Sequence, residues 1–286
     1  MKFMPHLSSL IAGSAFCLLS LAAQANAAGF DAARFETIKT KNLQIHSYAT
    51  QDALGDVSIV FETENALILL EPPPFHSKSG ELKAYLATLK KPLKGIIVSA
   101  HNGAVEKFEG VPIYASQATA GELNKSIKSQ LESFRSFGGD DLNTKLAAPT
   151  QILTDKKVAI AGIGFEVVYH NGPLPTIDLA IPESNVLFLH MLGADSHSLV
   201  TSREQLVDLI DNLNRADKNG YKIVLSSHHK PETGKDITRK IAYLEKMKGI
   251  ISCAKTSEEF VAAMKASFPD LQGGHYLNMT AQSLYR

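Results

Sequence analysis

Cysteine is almost missing from this chain. Of 286 residues only Cys17 and Cys253 carry a thiol. Cys17 falls in a segment that reads as a removable leader, so the mature chain can form no disulfide within itself. Its stability must come from a hydrophobic core, which a chain of this size can build. An excess of charge is missing too. Lys and Arg number 29, as do Asp and Glu, and the two signs are interspersed. With no basic patch, nucleic acid is not expected as a partner. No internal repeat, low-complexity tract or linker divides the chain, so one domain is expected. No Gly-x-Ser-x-Gly elbow occurs, which removes the serine-hydrolase route that depends on it. Gly162-Ile163-Gly164 is too short for a phosphate loop and reads as a bulge or tight turn. Cys253 follows the apolar Gly249-Ile250-Ile251 and reads as inert core rather than a nucleophile.

The first residues read as targeting, not fold. Met1-Lys2 supplies one positive charge, Leu7 to Ala23 is mostly apolar and uncharged, and Ala25-Asn26-Ala27 has the small-x-small cleavage pattern. The residues before Cys17 lack the Leu-then-small pattern of a lipoprotein. Residues 1–27 are therefore expected to be a signal peptide and 28–286 a periplasmic or secreted domain of 259 residues. An uncleaved anchor is the alternative, because the apolar run has the length of a short membrane span. After cleavage the net charge is about −1, and no membrane association is expected. The oligomeric state is not legible.

Strands are expected at Asn42–Ala49, Val57–Glu62, Ala66–Glu71, Ile96–Ala100 and Val111–Ala115. Pro72-Pro73-Pro74 must end the third of them. Helical spacing covers Gly80–Leu89 and Thr119–Phe134. Further strands are expected at Val158–Ile160, Ile163–His170, Thr176–Ile181, Val186–His190 and Ile223–Leu225. The helices of this half are expected at Ser202–Arg215, around Asp236–Met247 and at Thr256–Phe268. Strand meanders open each half and helices close it, which argues for two packed sheets with helices outside.

Four of the apolar runs end on histidine: His101, His170, His190 and His228. A rigid strand aims a side chain that the following loop exposes, and imidazole is the commonest metal ligand. These four are the candidate ligands. Three neutral imidazoles suit one zinc ion with a fourth position open, where a bound water's pKa falls toward neutrality; iron, copper or manganese are compatible.

The order Leu67-Ile68-Leu69-Leu70-Glu71, Ile97-Val98-Ser99-Ala100-His101, Val111-Pro112-Ile113-Tyr114-Ala115-Ser116, His170, Val186-Leu187-Phe188-Leu189-His190 and Ser227-His228 resembles the metallo-β-lactamase-fold hydrolase superfamily. The resemblance runs from about Asn42 to the C-terminus. It implies an α/β fold, a four-layered αββα sandwich with a metal site at one edge of the two sheets. It also implies family histidines at His101, His170 and His228, with Glu71 in place of an early aspartate.

The departures from the family pattern are specific. The family's His-x-His-x-Asp-His motif reads here His101-Asn102-Gly103-Ala104-Val105-Glu106, and only its first histidine is kept. His190 stands where the family's bridging carboxylate is usual, so a bridged metal pair is not expected. All four histidines on one ion would make a saturated site, whereas three would leave it open. Glu106 is the one nearby carboxylate available as a catalytic base. Glu71, His229, Asp195 and His197 could support the ligands or line the site, and His76 could reach its rim.

The expected function is a mononuclear metal-dependent hydrolase of a small ester, amide, lactone or thioester. A non-catalytic metal- or ligand-binding protein on the same fold is the alternative, and a mononuclear iron oxygenase a third. β-Lactamase activity proper is not expected with so reduced a ligand set.

Overall fold

The structure is a computed structural model that describes residues 29–100, 103–125, 135, 138–145, 147–171 and 175–285. The predicted leader, 1–27, and His101 lie outside the described residues. No described helix is long and apolar enough to cross a membrane.

The first sheet has seven strands in sequence order. They are β1 (Phe35–Lys39), β2 (Gln44–Ala49), β3 (Val57–Glu62), β4 (Leu67–Leu70), β5 (Leu93–Val98), β6 (Ile113–Ser116) and β7 (Gln151–Leu153). β1 to β4 pair antiparallel, and β4 to β7 pair parallel. The parallel pairs need crossovers. α1 (His76–Thr88) makes the first, a segment with one short 3-10 turn (Val105–Phe108) makes the second, and α2 (Gln117–Lys125) lies on the third. Helix α1 begins four residues before its predicted start. The rest of the helix predicted to Phe134, residues 126–134, lies outside the described residues.

The second sheet runs in the order β12 (Ile223–Leu225), β11 (Val186–Phe188), β10 (Thr176–Ile181), β9 (Ile163–His170), β8 (Lys157–Ile160). Ala161 and Gly162, at φ +45° and +86°, form the two-residue turn between β8 and β9. Positive φ at both positions matches the right-handed twist of the flanking strands. The tight turn expected at Gly162 is therefore present. Four helices close this half: α3 (Arg203–Asn219), α4 (Gly234–Cys253), α5 (Ser257–Ser267) and α6 (Gly274–Leu284). Ser202 caps α3 by accepting Gln205 N, as its sequence predicts. Helix α4 opens on a capping box between Thr233 and Asp236.

Three apolar layers make the four-layered αββα sandwich. Ile45, Ile59, Phe61, Ile68, Leu70 and Ile97 meet Phe165, Val167, Ile177, Leu179, Phe188 and Leu225 between the sheets. The Phe61 and Phe165 rings meet edge to face at 5.8 Å, worth about 1 kcal/mol beyond their burial. Tyr48, Val60, Leu69, Leu82, Ile96 and Val98 fill the layer under α1. Leu187, Leu206, Ile210, Ile237, Leu244 and Phe260 fill the layer under the C-terminal helices. Cys253 departs from its expectation: it is exposed in the last turn of α4, on the side away from that layer.

Strand direction decides which of the candidate histidines share a rim. β5 runs parallel to β4, and β3 antiparallel to it. The start of β3 and the ends of β4 and β5 therefore share one rim. β9, β11 and β12 run in one direction, so their C-terminal ends also share a rim. Val57 N donates to Ser227 O at 2.6 Å and joins the two sheets there.

Candidate metal centre at the sheet rim

The described site is built around two histidines. β11 ends at Phe188 and the chain continues through Leu189, whose N–H donates to Leu225 O, to His190, whose carbonyl accepts from Ser227 N. These bonds extend the β11–β12 pairing by two residues and bring His190 beside His228. Their rings stand 5.3 Å apart, planes crossed at 78°. His190 Nδ1 shares a 3.0 Å hydrogen bond with Ser227 Oγ. His228 Nδ1 lies 3.2 Å from Asp56 Oδ1, on the turn that leads into β3. A hydrogen bond of the kind His190 makes through Nδ1 is what fixes the tautomer of a metal-binding imidazole and leaves Nε2 for the ion, and Asp56 lies within ion-pair distance of the same atom of His228.

Glu71 shapes the neighbouring strand end. At φ +55° it occupies the left-handed region, which costs a non-glycine residue about 1 kcal/mol or more. Its N–H donates to Ile97 O, and its carbonyl accepts from Ser58 Oγ. The carboxylate Oε1 accepts the backbone N–H groups of Ser99 and Ala100. Glu71 therefore fixes the backbone that immediately precedes His101.

His170 reaches the same rim by its backbone but not by its contacts. Ile163, Phe165, Val167 and Tyr169 face the inter-sheet core, so strand alternation turns His170 to the helix-covered face. There Nε2 lies 2.7 Å from Asp178 Oδ2 and Nδ1 lies 3.4 Å from Asn212 Nδ2 on α3. The Asp178 hydrogen bond holds its pKa above the ordinary histidine value. The structure brings His190 and His228 together and engages His170 elsewhere. Among the described residues no group of three or more His, Cys, Asp or Glu could hold a metal.

The altered motif is closed by packing. A Cβ built on Gly103 would meet Pro72 O at 1.9 Å, so position 103 admits no side chain in this backbone. Val105 is buried under α1, 2% exposed. Glu106 is held by Asn143 Nδ2 at 3.0 Å, with His76 Nδ1 3.3 Å from its other oxygen. His76 thus approaches the candidate base; nothing in its sequence surroundings pointed to that pairing.

The loop after His190 carries the remaining candidates. Gly193, at φ +55°, presses on the His229 ring; a Cβ there would lie 2.2 Å from its Nε2. Burial pushes His229 down to about 4, although Asp195 Oδ1 lies 3.7 Å from its Nδ1. Asp195 itself is exposed at 62%. His197 is buried, its Nδ1 3.1 Å from Tyr243 Oη, and burial lowers its pKa. Two residues of this loop's surroundings escaped the sequence reading. Glu232 accepts Gly193 N and Ala194 N at 3.1 and 2.7 Å. Lys240, on α4, donates to Gly193 O and Ser196 O at 2.8 Å each. Burial pushes Lys240 down to about 7 and raises Glu232.

No protein-family model matches this sequence, and no curated protein matches it. Solved structures do match. The stereoselective inverting sec-alkylsulfatase Pisa1 from Pseudomonas sp. superimposes with a TM-score of 0.64 at 12% identity, over 84% of this chain and 48% of its own. A metallo-β-lactamase from Pontibacter korlensis superimposes at 0.53, with 18% identity, over 74% of this chain and 99% of its own. This is the metallo-β-lactamase fold. The DIM-1 metallo-β-lactamase agrees, at 0.52 and 15% identity over 74% of this chain and 97% of its own. The chain spans about half the length of the alkylsulfatase. The metallo-β-lactamase fold accounts for the sheet order.

Proposed function

We propose that this chain holds one metal ion at the rim through His101, His190 and His228 and hydrolyses a small ester, amide, lactone or thioester. The observation that carries the reading is the His190–His228 pair, with His190 Nδ1 hydrogen-bonded to Ser227 and the Asp56 carboxylate 3.2 Å from His228 Nδ1. Two such imidazoles fit a zinc ion and leave the third donor to His101, next in sequence after the Ser99-Ala100 backbone that Glu71 holds; iron or manganese fit the same donors. An ion bound there would polarise a carbonyl and acidify water. The protein's own contributions are orientation and proton handling. Ser227 would hold the His190 ring with Asp56 beside His228, and Glu106, held by Asn143 and 3.3 Å from His76 Nδ1, is the candidate base. With residues 1–27 as a cleaved leader, the site would work in the periplasm or outside the cell on a small molecule.

The test is metal content of the mature protein beside a His190→Ala/His228→Ala variant, followed by assays on esters, lactones and thioesters. One equivalent of zinc, iron or manganese lost in the variant, with hydrolysis that falls in Glu106→Gln, supports the reading. A folded mature protein that takes up no metal overturns it. A second reading, a metal- or ligand-binding protein without hydrolysis, is favoured by the closed positions 103 and 105. Metal uptake without turnover of any of these substrates would select it.

A further inference from the structure

The loop from Leu192 to His197 has no helix or strand of its own beyond one bridge from Ser196 to Gln272, yet it begins two residues after His190 and lies against His229. Two oppositely charged side chains hold it. Glu232, whose backbone pairs with Val224 of β12, takes the N–H groups of Gly193 and Ala194. Lys240 takes the carbonyls of Gly193 and Ser196 and lies 4.8 Å from the Tyr243 ring centroid. Tyr243 completes the grip: its Oη accepts Ser198 N and meets His197 Nδ1. Lys240 is 3% exposed. Burying an ammonium costs several kcal/mol unless every proton finds a partner, and here two of the partners are carbonyls of this one loop. An apolar side chain of the same length could fill the volume, but only a group with two or more N–H donors at Nζ can bind both carbonyls.

We propose that Lys240 and Glu232 are positioning residues of the rim: they grip the 193–196 turn through its carbonyls and its N–H groups, so that the turn sets His229 and the backbone at His190. For its effect on metal affinity the proposal rests on the metal-site reading above.

The test uses the mature protein with Lys240→Met and Glu232→Gln. Two quantities are read: amide hydrogen exchange at Gly193 and Ala194, and binding of Co²⁺ followed by its d–d absorption. Both variants are expected to speed exchange at these amides tenfold or more. They should also weaken Co²⁺ binding roughly 10–100-fold, the usual loss when a group supporting a ligand is removed, and shift the absorption envelope. Exchange in β2 to β4 should stay unchanged. Glu232→Gln keeps size and shape, so it decides the question if Lys240→Met does not fold. Unchanged exchange at 193 and 194 in Glu232→Gln overturns the proposal. So does faster exchange with unaltered Co²⁺ affinity and spectrum, which would make the grip structural only. If the parent binds no Co²⁺, the metal reading fails on its own, and the exchange measurement still decides whether the grip orders the rim.

Discussion

Gly103→Ala should unfold this protein more readily than almost any other single-methyl addition. The new Cβ would lie 1.9 Å from Pro72 O and 2.6 Å from both Pro72 C and Pro73 O. Ordinary contact begins at about 3.4 Å, so backbone must move by roughly 1.5 Å in one of two segments. Neither can move cheaply. Ala104 N donates to Pro73 O at 2.9 Å, and Asn143 Nδ2 donates to Gly103 O at 3.2 Å. Overpacking of this kind costs about 1–3 kcal/mol, and each disturbed hydrogen bond adds about 1 kcal/mol. The sum, about 3–5 kcal/mol, corresponds to a fall in Tm on the order of 10 °C. Gly80→Ala is the matched control. It lies inside α1 with nothing within 4 Å of a new Cβ, so it should gain roughly 0.5–1 kcal/mol through helix propensity. Differential scanning calorimetry of the two variants and the parent settles the matter. A Gly103→Ala protein melting within 2 °C of the parent would refute the claim that position 103 is closed. It would also reopen the possibility of restoring a second metal-binding histidine there.

Three further outcomes are expected. His229 is held neutral by burial, with its pKa near 4, so the unfolded chain binds its proton first as pH falls. Its contribution is complete above about pH 6.5 and is lost toward pH 4. The loss is on the order of 3 kcal/mol, and urea midpoints against pH should show this slope in the parent but not in His229→Leu. Asp178 raises the pKa of His170, so that ion pair contributes fully below about pH 6.5 and fades as pH rises through the folded His170 value. The stability difference between the parent and Asp178→Asn, on the order of 1 kcal/mol, should therefore shrink between pH 6 and pH 9; a difference that grows would contradict the pairing. Cys253 is exposed and should react with a thiol reagent in the folded protein, as peptide mapping would detect; labelling only after denaturation would count against its placement.

Much of the fold was legible because its core strands declare themselves. Val57–Glu62 and Ile163–His170 were read with their observed bounds, since their apolar runs stop at turn residues on both sides. The elements that escaped are those with little to bury. Phe35–Lys39 is an edge strand with no fully buried residue, and Gln151–Leu153 buries one residue in three. Helix α6 opens on Gly273, with no side-chain cap to announce it. At the site, the placement of His170, His190 and His228 at one rim followed from strand ends. The outward turn of His170 was also available, by counting alternate residues back through Tyr169, Val167 and Phe165. Cys253 was misread because an apolar run in a helix does not bury every residue that follows it. Lys240 and Glu232 gave no signal, because they act on main-chain groups that any sequence would supply.

The C-terminal helix layer has a consequence for the order of assembly. Gln272 N donates to Asp195 O, and Gln272 O accepts from His197 N; Thr280 Oγ1 accepts from Val200 N and donates to Ser198 O. The stretch that leads away from His190 is thus tied down by residues synthesised about 80 positions later. These bonds cannot form until residues 272 and 280 are present, so the stretch behind His190 depends on the far end of the chain for its order, whatever the sheets have already achieved.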